Sequence, residues 1–183
     1  MSSFVIRQTA KLIHAGAVIG YPTEAVYGLG CHPLDYDAVL RILDIKQRSI
    51  SKGLILIAAD FRQLRPYVAD APADKLQKAF DSWPGPHTWL FPKNPATPFW
   101  LTGDYDTIAV RVSAHPVVQK LCMASGTALV STSANRSQQQ PARSALECHL
   151  KCPEVDFIVS GDVNRNARPS TIKDLLTDTP IRI

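Results

Sequence analysis

Tyr21-Pro-Thr-Glu-Ala-Val-Tyr-Gly-Leu-Gly30 follows an apolar run, Ala17-Val-Ile-Gly20, and turns polar within two residues. The run has the length and composition of a short buried strand. Pro22 fixes its own φ and biases Tyr21 towards an extended backbone, so the strand is expected to end there. Thr23 and Glu24 then sit just past a strand end, where open α/β sheets hold their ligands. Gly28 and Gly30 admit a turn or close approach that a side chain would block. The competing local reading is a strand-to-helix turn with Thr23 as its N-cap. Which reading holds depends on the company this stretch keeps further along.

The chain has 183 residues, 45% hydrophobic and 20% charged, which suits one soluble globular domain spanning 1–183 with a proper core. No apolar run approaches the roughly 18 residues of a membrane span. The first residues, Met1-Ser-Ser-Phe-Val-Ile-Arg-Gln, lack the basic segment and apolar core of a signal peptide, so a cytoplasmic location and no membrane partner are expected. Cys31, Cys122, Cys148 and Cys152 are too few and scattered for a disulfide framework, and Cys148-His149 with Cys152 lacks the spacing of a zinc half-site. No metal ligand set is expected. Twenty basic against sixteen acidic residues give +4, an excess that permits a nucleotide or nucleic acid without demanding either.

Periodicity predicts helices over 4–15, with Ser2 or Ser3 as cap, and over 35–48, 60–67, 74–80, 116–123 and 144–151. Continuous apolar runs predict strands at Gly53–Ala59, Trp89–Phe91, Ile108–Val112, Leu129–Val130, Phe157–Val159 and Thr171–Ile172. The proline-rich 92–103 and the Gln138–Gln140 triplet read as loops. Alternating strands and helices with several close strand pairs predict an α/β (α+β) fold: an open twisted mixed sheet flanked by helices.

Polar clusters stand at the ends of these apolar runs: Thr23-Glu24; Lys46-x-Arg48 with Lys52; Trp83-Pro-Gly-Pro-His-Thr88; Arg111 inside a strand; Ser131-Thr-Ser-Ala-Asn135; and Arg168-Pro-Ser-Thr171. Repetition at strand ends describes a ligand cleft at one sheet edge. Lys46, Arg48 and Lys52 have only Asp44 as an acidic neighbour; they form either a solvated helix face or a cationic rim for phosphates. Arg111, between Val110 and Val112, either pairs with a protein carboxylate or grips a ligand's carboxylate or phosphate. Ser131–Asn135 either offers hydroxyls, an amide and a helix N-terminus to an anion, or merely caps the next helix. No phosphate-binding P-loop, dinucleotide turn or nucleophile elbow occurs.

Taken in order, Tyr-Pro-Thr-Glu-x-x-Tyr-Gly-Leu-Gly, Lys-x-Arg-x3-Lys-Gly-Leu, Trp-Pro-Gly-Pro-x-Thr, Ala-Val-Arg-Val and Ser-Thr-Ser-Ala-Asn resemble the YrdC-like family, in its short threonylcarbamoyl-AMP synthase branch. The likeness runs from Tyr21 to about Thr171. It implies a deep basic cavity in which ATP, L-threonine and bicarbonate become threonylcarbamoyl-adenylate and pyrophosphate. That product feeds modification of adenosine 37 in tRNAs reading codons that begin with A, through downstream threonylcarbamoyl-transfer enzymes. Residue by residue, it implies Arg48 and Lys52 as catalytic cations on the ATP phosphates, supported by Lys46. Thr88, Ser131, Ser133 and Asn135 would join the ATP site, and Thr23, Arg111 and Ser170 the threonine site. Mg2+ would accompany ATP, held mainly by phosphates.

Two departures stand out. Gln138 occupies a position where the family often has glycine, so the loop backbone is expected to differ there. The further C-terminal domain of longer members has no counterpart in these residues. Two alternatives come from other activities: tRNA or other RNA held in the basic cavity, and carbamoyl-adenylate chemistry like that of YrdC-like domains in hydrogenase-maturation proteins. The first lacks an aromatic platform and basic arm; the second lacks the zinc-finger and acylphosphatase-like parts.

Overall fold

A computed structural model of the chain describes residues 2–164, 166–167 and 170–182. Arg168 and Pro169, of the sixth polar cluster, lie outside the described residues. Helix α1 (Ser3–His14) is capped by Ser2, whose hydroxyl accepts from the Phe4 amide, and it buries Ile6, Thr9, Ala10 and Ile13 on one face.

Strands β1 (Ile19–Pro22) and β2 (Tyr27–Gly30) form an antiparallel hairpin in register from Ile19↔Gly30 to Pro22↔Tyr27. Thr23 closes the turn: its amide and hydroxyl both donate to the Val26 carbonyl, at 3.0 and 2.7 Å. The chain thus returns into the sheet, and the N-cap reading of Thr23 gives way to a hairpin. Ala17 and Val18 precede the strand.

Helix α2 (Tyr36–Lys46), capped by Asp35, buries Val39, Ile42, Leu43 and Ile45. Strand β3 (Ile55–Ala58) follows. The helix expected over 60–67 is replaced by two 3-10 turns, Phe61–Gln63 and Arg65–Tyr67. Pro66 has no amide to continue a helical ladder, and its ring clashes with the preceding turn.

Then come α3 (Ala73–Ser82), β4 (His87–Pro92), α4 (Phe99–Thr102), β5 (Thr107–Val112) and α5 (Pro116–Ser125). The chain closes with β6 (Leu129–Ser133), α6 (Ala145–Lys151), β7 (Phe157–Ile158), β8 (Thr171–Asp174) and β9 (Pro180–Arg182). The segment read as a loop over 92–103 contains α4, which buries Leu101 and Thr102. Ser131–Ser133 belong to β6 itself, and the next helix begins only at Ala145, so no helix N-terminus follows Asn135.

Among the described residues nine strands form one mixed sheet in the order β7-β1-β2-β6-β3-β5-β4-β8-β9. Parallel pairs are β1–β7, β3–β5 and β4–β8; the other neighbours run antiparallel. Alternation along β3 sends Leu56 to a core with Val39 and Ile42 of α2, and Ile57 to another with Ile6 and Ile13 of α1 and Val118 and Leu121 of α5. On β5, Ile108, Val110 and Val112 join the first core. Thr107, Ala109 and Arg111 point to the opposite face, beyond the reach of α1 and α5. That uncovered part of the sheet is where the cavity lies.

Gly30 is a position that only glycine fits. A Cβ there would overlap the Val130 carbonyl oxygen of the chain's neighbouring segment and lie 2.7 Å from the Tyr21 ring. Gly30→Ala is expected to cost about 1–3 kcal/mol through forced displacement, read as a lower urea midpoint at unchanged slope. An unchanged midpoint would mean that this close approach is not there.

Candidate active site

The cavity holds about 540 Å³, a size suited to a small-molecule site. Its walls come from the hairpin turn (Thr23–Val26), Arg48, Lys52 to Ile55, the end of α4 with Tyr105, the outward face of β5, Ser131–Ser133, and Ser170 with Ile172. Among the described residues three cations, Arg48, Lys52 and Arg111, face it against one carboxylate, Glu24.

The cationic segment owes its position to two glycines in contact with backbone. Gly53 has φ +59, and a Cβ on it would meet the Thr102 carbonyl oxygen at 2.7 Å; Gly103 has φ +61 and abuts the Ser51 carbonyl. The Leu54 amide donates to Leu101 O at 2.8 Å and the Asp104 amide to Ser51 O at 3.1 Å, tying this segment to α4. Arg48 reaches over it, donating to the carbonyls of Lys52 and Gly53 at 3.2 and 3.0 Å. Its Nε is buried without a partner. Burial pulls the Arg48 guanidinium below its ordinary value, yet an arginine remains charged at neutral pH. Lys52 is exposed, and no carboxylate pairs with Arg48 or Lys52 among the described residues.

Lys46 does something else. Its Nζ donates to Ser133 O, Asn135 O and Asn135 Oδ1 at 2.6, 2.9 and 3.0 Å, and the residue is only 3% exposed. All three of its protons are engaged on the protein, and it does not line the cavity. The expectation that Lys46 belongs to the phosphate rim is corrected: it stands behind β6 and fixes the strand end. Burial, with the nearby Arg48 charge, pulls its ammonium down to about 8.

Asn135 is likewise absorbed. Its Oδ1 accepts from Lys46 and from Ser133 Oγ at 2.5 Å, and its Nδ2 donates to Gln139 O at 2.6 Å. Thr88 is buried and donates to Ser170 Oγ at 3.1 Å, so Ser170 forms the wall and Thr88 backs it. Thr23, Ser131, Ser133 and Ser170 line the cavity as expected. Gln138 has φ 66, the left-handed conformation that suits glycine, so the loop keeps the backbone shape that a glycine there would favour.

Arg111 has the protein carboxylate that one of its two readings called for. Its NH2 lies 3.3 Å from Glu24 Oε2, with the two side chains 9% and 17% exposed, and it also faces the cavity. Glu24 Oε1 accepts from Ser113 Oγ at 2.7 Å and the Ala114 amide at 3.1 Å. Burial alone would raise the Glu24 carboxyl; the Arg111 charge and these hydrogen bonds outweigh it and hold it below the usual carboxylate range.

Sequence reasoning gave Glu24 no role beyond its place beside Thr23, and it missed the Leu101, Thr102 and Tyr105 wall. Proline and glycine around α4 masked a packed turn. The four cysteines are buried, and burial pushes the Cys122 and Cys148 thiols up to about 12, so neither is an activated nucleophile. Among the described residues no cluster of three metal-ligating side chains occurs, and no helix is long and apolar enough to cross a membrane.

A basic cavity on the uncovered part of an open mixed sheet defines a class, and comparison with known proteins identifies it. The Sua5/YciO/YrdC family model, described as "Telomere recombination", matches residues 11–183, and the chain belongs to this family. It is 51% identical over 183 residues to a threonylcarbamoyl-AMP synthase of Alkalilimnicola ehrlichii, covering 98% of this chain and 95% of the relative. P. abyssi Sua5, in a crystal structure complexed with L-threonine, superposes with a TM-score of 0.91 at 35% identity, over 98% of this chain; the chain spans 53% of that one. E. coli YciO superposes at 0.84 and 30% identity, over 100% of this chain and 89% of its own.

The Glu24 arrangement makes a pH prediction. Because its folded-state carboxyl lies below the unfolded value of about 4.3, ionised Glu24 stabilises the fold above that value and loses this as pH falls through the lower one. The stability gap between wild type and Glu24→Gln, from urea midpoints, should therefore shrink between about pH 6 and pH 3. A gap constant across that range would contradict the pairing.

Proposed function

We infer that this chain is a threonylcarbamoyl-AMP synthase, a nucleotidyltransferase that joins ATP, L-threonine and bicarbonate into L-threonylcarbamoyladenylate with release of pyrophosphate. The observation that carries the reading is a single cavity with Arg48 and Lys52 free of carboxylates on one wall and Arg111 on another. The named relatives, and the threonine-bound Sua5, support the choice of substrates.

Threonine docks with its carboxylate on Arg111 and its polar groups towards Thr23 and Ser170. Its amine captures bicarbonate-derived carbon dioxide as a carbamate. A carbamate oxygen then attacks the α-phosphorus of ATP, and the bond to the bridging oxygen of pyrophosphate breaks. Negative charge gathers on the phosphoryl oxygens, where Arg48, held on the Lys52 and Gly53 carbonyls, and the exposed Lys52 stabilise it. Ser131 offers its hydroxyl to the nucleotide and Ser133, whose proton goes to Asn135, an acceptor oxygen, with Lys46 and Asn135 keeping that strand end in place. The reaction needs no covalent enzyme intermediate, in keeping with buried, unactivated thiols.

Mg2+ would be held mainly by the ATP phosphates beside the Ser131 and Ser133 hydroxyls and would offset charge on the phosphoryl oxygens, while the Glu24 carboxylate already balances Arg111. The product serves the threonylcarbamoyl modification of adenosine 37 in tRNA through separate transfer enzymes. A volume of about 540 Å³ suits a nucleotide with an amino acid.

The test is pyrophosphate release with ATP, Mg2+ and bicarbonate, with and without L-threonine, with the adenylate followed by mass spectrometry. Threonine-dependent release together with a threonylcarbamoyl-adenylate mass is expected; threonine-independent turnover would point to carbamoyl-adenylate chemistry instead. Lys52→Ala should lose about 2–4 kcal/mol of transition-state stabilisation, the scale of one lost oxyanion donor. An unchanged kcat/KM would return Lys52 to a solvated surface role.

A further inference from the structure

The cavity must receive two very differently charged molecules: a polyanionic nucleotide and an amino acid whose charges cancel. Arg48, Lys52 and Arg111 all face it, and a guanidinium accepts phosphate as readily as carboxylate. Left alone, Arg111 would be a third site for phosphate, and the triphosphate could occupy the place of the amino acid. What distinguishes Arg111 from Arg48 and Lys52 is Glu24.

The Glu24 carboxylate is fixed from several directions. Oε1 accepts from Ser113 Oγ at 2.7 Å and from the Ala114 amide at 3.1 Å. Ser113 is anchored in turn: its amide donates to Ala58 O and its Oγ accepts from the His115 amide, both at 3.0 Å. On the other side, the Glu24 carbonyl accepts from the Asn164 amide at 2.9 Å. Its backbone and Oε1 are thus anchored, and Oε2, which makes no hydrogen bond of its own, is left facing Arg111 at 3.3 Å.

We propose that Glu24 is a specificity-determining residue that acts through Arg111: by pairing with it, Glu24 makes the amino-acid end of the cavity electrically neutral and confines phosphate groups to Arg48 and Lys52. This rests on the reading of Arg111 as the threonine carboxylate site. A zwitterion loses little at a neutral pair, since its ammonium is drawn to Glu24 as its carboxylate is repelled. A polyphosphate has no compensating charge and is excluded by close-range repulsion.

The experiment is threonine binding by calorimetry, with and without sodium tripolyphosphate, which carries the charge of the nucleotide without its base. In the wild type, tripolyphosphate should leave the threonine Kd unchanged. In Glu24→Gln it should displace threonine, raising the apparent Kd by at least about tenfold, whereas Glu24→Asp, which keeps the charge, should restore exclusion. A purely structural role for Glu24 would change stability without creating this competition. Displacement of threonine in the wild type would overturn the proposal, and that arm stands even if Glu24→Gln fails to fold. So would a folded Glu24→Gln whose threonine binding ignores tripolyphosphate. Arg111→Ala separates the two levels: threonine affinity equal to wild type would sink the carboxylate assignment itself. Weakened threonine binding in Arg111→Ala, beside a Glu24→Gln that still excludes tripolyphosphate, would sink only the role given to Glu24.

Discussion

The guanidinium of Arg111 stands on a sheet face that helices would otherwise close. An apolar helix laid over it would strand a charge away from water, at a cost of several kcal/mol. The face over Thr107, Ala109 and Arg111 therefore stays open, while the same face further along is sealed by α1 and α5 over Ile19, Ile57 and Leu129. The pairing with Glu24 compensates the Arg111 charge at this largely buried position on the cavity wall. It also sets a geometric demand: a carboxylate from far earlier in the chain must arrive at the end of β5. The tight hairpin over 23–26, closed by two bonds from Thr23 to Val26, delivers it there.

Around this pair the site is built in two tiers. The wall facing the cavity carries Arg48, Lys52, Ser131, Ser133 and Ser170. Behind it Lys46, Asn135 and Thr88 direct side-chain hydrogen bonds to the protein, Lys46 with all three of its protons. Lys46 is an apt support because a buried ammonium with three oxygen acceptors holds three backbone and side-chain positions at once. The wall hydroxyls are thereby fixed before any ligand arrives, which is what electrostatic catalysis without a covalent step requires.

Most of the fold was legible because the signals were local. β3 reads as a continuous apolar run since both its faces are covered, and α1, α2 and α5 show their buried stripes in helical spacing. The misreadings share a cause: they hinge on contacts between distant segments. Tyr27–Gly30 has no apolar run long enough to announce a strand; it pairs because Gly30 lets β2 press against the segment at Val130. The turn α4 hides in a proline-rich stretch, and its reason is the backbone contact between Gly53 and Gly103 and their neighbours across about fifty residues.

The site was legible as a set of residues and less so as a set of roles. Lys46 and Arg48 are two positions apart, and nothing in composition distinguishes them. Direction does. Lys46 is the last residue of α2 and faces the sheet with Ile42 and Ile45, whereas the chain reverses at Gln47, φ 50, and carries Arg48 out over the Lys52 segment. A single left-handed residue thus divides one cationic motif into a strut and a ligand group. The same logic separates Arg111 from Arg48. Both are arginines on the wall of one cavity, but among the described residues one has a carboxylate beside it and the other has carbonyls. In a site whose chemistry is stabilisation of developing charge, where the compensating charges are withheld matters as much as where cations are placed.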